Sequence, residues 1–142
     1  MKFKSRIDLF FGTILFCLTL VLIFPLIMTY IYNKEITNQF IYTFLIHTLI
    51  LVFVFWIYFG TNYELTKEKF IYKCGPIRRA IDINRINKII KDKTLWVGVK
   101  VATSRKGLII KYDKHKEVYI SPRTNKSFID KMLEINNQII IE

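Results

Sequence analysis

Two uninterrupted apolar runs dominate the first sixty residues. LFFGTILFCLTLVLIFPLIMTYIY occupies Leu9–Tyr32 and FIYTFLIHTLILVFVFWIYF occupies Phe40–Phe59, neither with a charged residue. A hydrocarbon core about 30 Å thick takes roughly 20 helical residues, so this pattern predicts two transmembrane helices, 9–32 and 40–59. Too little chain remains after them to cover two such helices on every side in a soluble protein. A secretory leader would also begin with a basic stretch like Lys2, Lys4 and Arg6. The run is too long for one, however, and the first alanine, the residue cleavage sites favour, is Ala80. Cys17 follows the bulky Phe16 rather than a small residue, which argues against a lipoprotein. Both segments are expected to be retained.

After Gly60 the pattern changes to short alternations. Thr61–Thr66 reads as a strand with Tyr63 and Leu65 on one face, and Lys69–Cys74 as a second with Phe70 and Tyr72 inward. Gly75–Pro76 marks a turn before a third strand over Ile77–Ile83. Ile86–Ile90 fits a strand or a single helical turn equally. Lys91–Gly98 is irregular, and Val99–Ala102 reads as another strand. Leu108–Tyr112 and Glu117–Ser121, joined by Asp113–Lys116, predict a hairpin that Pro122 ends. Thr124 or Asn125 can cap a helix whose Phe128, Ile129, Met132, Leu133 and Ile135 form one apolar stripe. The expected architecture is α+β: residues 1–59 form a stub and a transmembrane hairpin. Residues 60–142 form six or seven short antiparallel strands closed by a C-terminal helix.

Charge gives the hairpin a direction. Lys2, Lys4 and Arg6 precede the first run, and 18 of the 22 Lys/Arg lie after Phe59 against nine of the 11 Asp/Glu. Positive flanks stay cytoplasmic, so both termini are expected inside and the short connection Asn33–Gln39 outside. Tyr30, Tyr32 and Tyr42 then fall at the outer interface, and Trp56, Tyr58 and Phe59 at the inner one, where amphipathic rings sit. Cys17 and Cys74 fall in different compartments of this arrangement and are expected not to pair. Heavy use of Ile, Lys, Asn and Phe points to an AT-rich bacterial genome, hence a multi-pass protein of the bacterial plasma membrane.

Catalytic constellations are missing from the sequence. It has no Cys-x-x-Cys, paired-histidine helix, Gly-rich phosphate loop or Gly-x-Ser-x-Gly, and only three glycines follow Gly60. No enzyme activity, cofactor or metal is expected. His115 reads as a solvated turn residue. His47 lies in the second span, level with Pro25 of the first. Proline frees the carbonyl one turn earlier, near Val21, and a neutral imidazole is expected to donate to it across the pair.

The excess positive charge of the domain suits an anionic lipid surface, at about 1 kcal/mol per well-placed cation, and equally suits plain solubility and topology. The candidate contacts are Lys67, Lys69 and Lys73 on the first hairpin, Arg78 and Arg79 on the third strand, and Lys91 and Lys93 beside Leu95–Trp96. Trp96 admits two readings: a core residue, or an exposed tip flanked by Lys91, Lys93 and Lys100 that dips into the interface. Nucleic acid, the other common partner of basic domains, is not expected for a tethered one.

The stretch TNYELTKEKFIYKCGPIRRAIDINRINKI resembles the opening of bacterial pleckstrin-homology (PH)-like domains. GLIIKYDKHKEVYISPRTNKSFIDKML is similar to the close of their YyaB-like branch, through Ile120-Ser121-Pro122 leading into a helix with Phe128-Ile129. Lys93–Gly107 departs from the small-residue pattern of that branch. The resemblance covers roughly residues 60–136 and implies a PH-like antiparallel β-barrel or sandwich with a C-terminal helix, behind a two-helix membrane anchor. Taken with the basic charge beside the anchor, the expected function is binding to a membrane protein or anionic lipid. The alternative, implied by the resemblance because some relatives look like self-protection proteins, is immunity to an antimicrobial peptide. The Lys67–Lys69 loop, interrupted by Glu68, lacks the basic ladder with which eukaryotic PH domains hold phosphoinositides, so that ligand is not carried over.

Overall fold

The computed structural model describes residues 1–33 and 37–142. The middle of the expected outer loop Asn33–Gln39, residues 34–36, lies outside the described residues. Strand β1 (Lys2–Lys4) precedes helices α1 (Leu9–Asn33) and α2 (Asn38–Phe59). At 25 and 22 residues they span about 37 and 33 Å, and both are long and apolar enough to cross a membrane. Asp8 caps α1 by accepting the Phe11 N–H at 2.9 Å, and Thr37 caps α2 by accepting that of Phe40 at 3.2 Å. Thr13, Thr19 and Thr29 of α1 and Thr43 of α2 turn their hydroxyls back on the preceding turn, as Thr19 does to the Leu15 carbonyl and Thr29 to that of Pro25. Those four hydroxyls are thus satisfied within their own helices, whereas the buried Tyr58 Oη of α2 has no hydrogen-bond partner among the described residues.

The later strands are β2 (Asn62–Leu65), β3 (Lys69–Cys74), β4 (Ile77–Asp82), β5 (Ile86–Lys93), β6 (Val99–Val101), β7 (Gly107–Tyr112) and β8 (Lys116–Ile120). Helix α3 (Asn125–Ile135) and strand β9 (Ile140–Ile141) complete the chain. One sheet has the order β1-β2-β3-β4 and is antiparallel throughout. The other has the order β6-β8-β7-β5-β9 and is mixed, because β6 runs parallel to β8 and β9 parallel to β5. Among the described residues the sheets do not close into a barrel, which resolves the barrel-or-sandwich expectation in favour of two layers.

Alternation places the core between those layers. Tyr63, Leu65, Phe70, Tyr72 and Ile81 face inward from the first sheet, and Ile89, Leu108, Ile110, Val118 and Ile120 from the second. Phe128, Ile129 and Met132 of α3 close one side. Phe128 sits edge-on to both Phe70 and Phe3, with centroids 5.6 and 5.2 Å away. Burial of each such side chain stabilises by about 1.5–3 kcal/mol. β5 is a strand, and register shifts after Ile86 and Lys91 explain its ambiguous period. Its Ile89 faces the main core, while Ile90 joins Ile109 and Tyr119 in a small cluster under Leu95 on the opposite face.

The fold departs from the sequence expectation at three places. Eight short strands follow Gly60 rather than six or seven, and β6 and β9 run parallel to their partners where antiparallel pairing is expected. Residues 1–8 are more than a stub: Lys2–Lys4 add an edge strand to the first sheet, with Phe3 buried against the core. His47 does not reach across the helix pair: its Nδ1–H donates to the Thr43 carbonyl 2.8 Å away on its own helix. A carbonyl four residues earlier is within side-chain reach without any change in helix packing, so the local acceptor wins.

Candidate functional site

The outward face of the first sheet carries the candidate site. Since β1, β2 and β3 bury Phe3, Tyr63, Leu65, Phe70 and Tyr72, strand pleating turns their intervening residues outward. The register aligns those residues into rows across the sheet. Lys4 pairs with Asn62, Asn62 with Lys73, and Lys73 with Arg78. The adjacent row runs Lys2, Glu64, Ile71, Ala80. Neighbouring strands lie about 4.8 Å apart, so Lys73 and Arg78 are directly opposed like charges, an arrangement that costs stability unless an anion intervenes. Among the described residues no carboxylate comes within ion-pair distance of Lys2, Lys4, Lys73 or Arg78.

This row stands at the end of the sheet where the helices attach. Lys4 is five residues before the start of α1, and Asn62 three after the end of α2. Between them lies a groove of about 690 Å³ whose walls include Lys2, Lys4, Lys73 and Arg78. Ile7 and Phe59, 52% and 64% exposed, form its apolar rim, and Glu64 is its one acidic wall residue.

The junction that holds the groove in shape is polar and dense. Tyr63 Oη donates to the Val101 carbonyl at 2.5 Å and accepts the Ser121 N–H at 3.0 Å. Ser5 Oγ lies 3.0 Å from both that phenol and Ser121 Oγ, and 2.8 Å from Thr103 Oγ1. Burial pushes the Tyr63 phenol above its ordinary pKa, and its hydrogen bonds only partly offset this. The Arg6 guanidinium donates to the Arg105 and Lys106 carbonyls at 2.6 and 2.9 Å. Asp8 accepts the Arg105 N–H at 2.8 Å and its Nε–H at 3.4 Å, while that guanidinium lies 4.5 Å from the Phe10 ring centroid. Burial works to raise the Asp8 carboxyl, but the Arg105 and Phe11 amides and the Arg105 charge outweigh it and hold the pKa below the usual value. Gly75, at φ +55°, packs on Ile57 at the end of α2, where a Cβ would come within 2.9 Å of Ile57 Cγ1.

The eight candidate contacts therefore separate. Lys73 and Arg78 enter the groove. Lys67 and Lys69 stand at the far end of the sheet, Lys69 in register with Asp82. Arg79 alternates to the other face of β4, beside Tyr72. Lys91, Lys93 and Trp96 belong to the second sheet and its β5–β6 loop. Trp96 is 71% exposed, with Lys100 Nζ 5.9 Å from its ring centroid, so its core reading is excluded. Leu95 instead fills the small cluster beneath the loop. Sequence reasoning misses Lys2 and Lys4 as site residues, because a basic flank before an apolar run reads first as a topology signal. The trace that identifies them is the alternation Lys2-Phe3-Lys4, an amphipathic strand in miniature. Among the described residues no three His, Cys, Asp or Glu side chains assemble as metal ligands.

The profile of the family described as "Bacterial PH domain" matches residues 61–136. A protein of Bacillus subtilis (strain 168), described as "Uncharacterized protein YyaB", is 32% identical over 99 residues, covering 69% of this chain and 68% of its own. No solved structure matches the chain significantly.

Proposed function

The chain belongs to the bacterial PH domain family, and we propose that it is a non-enzymatic protein of the bacterial plasma membrane. Its two apolar helices anchor it with both termini cytoplasmic, and its domain holds a basic sheet face against the inner leaflet to bind an anionic lipid or a membrane protein. The observation that carries this reading is the position of the Lys4–Asn62–Lys73–Arg78 row at the very end of the sheet where α1 enters and α2 leaves. Cations fixed beside an inserted hairpin meet headgroups at high local concentration, and the cytoplasmic leaflet presents them with a negative surface potential. The excess of Lys and Arg flanking the helices supports the same orientation. Immunity to an antimicrobial peptide has no residue cluster of its own in support.

The test is single-cysteine labelling in intact cells, with Cys17 and Cys74 replaced by serine. An impermeant thiol reagent is expected to label Glu35→Cys from outside and Lys114→Cys only after lysis. Extraction of the protein by alkaline carbonate, or labelling of position 114 from outside, removes the reading.

A further inference from the structure

We propose that the groove beside the helices is a binding site for one anionic glycerophospholipid, with its phosphate held by Lys4, Lys73 and Arg78 and an acyl chain leaving over Ile7 and Phe59. This rests on the membrane-anchored reading above and names its ligand. Three features of the groove call for this occupant together. Lys73 and Arg78 oppose each other across neighbouring strands with no carboxylate within ion-pair distance among the described residues, so an anion between them relieves repulsion as well as gaining attraction. The single acid, Glu64, stands in the second row with Lys2, which leaves the row nearest the helices wholly cationic or neutral and directs the phosphate there. The wall on the helix side is apolar and exposed, Ile7 at 52% and Phe59 at 64%, which suits an acyl chain and does not suit a free inorganic anion. Charge at one end and hydrocarbon at the other match the two ends of a phospholipid. Trp96, Lys91 and Lys93, on the other sheet, take no part.

Native mass spectrometry of the full chain released from nanodiscs of equal phosphatidylcholine and phosphatidylglycerol reads the site directly. One phosphatidylglycerol is expected to remain bound in excess over phosphatidylcholine. Lys73→Gln combined with Arg78→Gln is expected to lower that preference roughly 30-fold, equivalent to about 2 kcal/mol for two cations. The matched pair Lys114→Gln and Lys126→Gln, equally exposed but away from the groove, is expected to leave it unchanged. Lys4→Gln alone, a smaller perturbation, is expected to give a partial loss. Equal retention of both lipids, or equal loss in the two double variants, overturns the site in favour of diffuse attraction. Displacement of the lipid by inorganic phosphate, with a phosphate adduct in its place, assigns the cations to a free anion instead. A chain that inserts in the expected orientation yet shows no preference overturns this inference alone. A chain that does not insert removes the anchored reading and this inference with it.

Discussion

Tyr63 is the residue on which the junction turns, because one buried phenol ties together β2, β6 and the segment after β8. Tyr63→Phe keeps the packing but strands the Val101 carbonyl and the Ser121 N–H away from water. A loss of about 1–3 kcal/mol is expected, measurable by denaturant unfolding of the full chain in detergent. Asp8 makes a different contribution, through charge. Its folded pKa lies below its ordinary value, so an unfolded chain takes up this proton first as the pH falls. The stabilisation from the Asp8 carboxylate is therefore complete above the usual carboxylate range and is lost as the pH drops through the folded pKa. Asp8→Asn, which can still cap α1, is expected to be less stable than the parent at neutral pH. The difference should shrink on acidification below about pH 4. A gap that stays constant with pH would assign the effect to packing.

Strand β1 is the element with the largest consequence for its length. Three residues cover the edge of β2, contribute Phe3 to the core, and bring Lys2 and Lys4 to the groove. Phe3→Ala empties the space beside the Phe128 ring and is expected to cost about 3 kcal/mol. Unfolding midpoints should reveal this, whereas Lys2→Ala, on the opposite face of the same strand, should shift them little. The β7–β8 hairpin is secured at its far end by Arg85 and Lys116 on Asp113, at 2.5 and 3.2 Å. At its near end the Tyr119 hydroxyl accepts the Gly107 N–H and donates to the Ser104 carbonyl, both at 2.9 Å. Gly107 cannot carry a side chain there, since a Cβ would run into the Ile120 carbonyl.

For the whole molecule, the two sheets have separate charge characters. The first gathers, at its helix-bearing end, cations that have no ion-pair partner among the described residues. The second pairs several of its own, as Lys88 with Glu142 and Lys111 with Glu117, and carries the exposed Trp96 and Val97 on its loop. That loop starts at Thr94, bonded to the Lys106 N–H near the helices, and leads away to Gly98 beside Glu117. If the groove faces the bilayer, Trp96 stays in water. A Trp56→Phe chain in vesicles is expected to keep the emission of a solvated indole when phosphatidylglycerol replaces phosphatidylcholine. A blue shift on that change would put the loop in the interface.

The sequence alone determined the features whose cause is local. Two charge-free runs are long enough to read without any partner, and the Tyr63/Leu65, Phe70/Tyr72 and Leu108/Ile110 alternations mark strands because one face of each is buried. The stripe Phe128, Ile129, Met132 marks α3 for the same reason at helical spacing. Tertiary structure alone decided what depends on distant partners. Ser5 meets Tyr63 across 58 residues of chain, and nothing within Lys2–Lys4 encodes that pairing. Ile89 and Ile90 blur the strand period because each is buried by a different cluster. The separation of the eight candidate cations and aromatics comes from register, since a shift of one residue moves a side chain to the opposite face. Lys73 and Arg78 share a groove with Lys2 and Lys4 for that reason, while Arg79, one residue further on, does not.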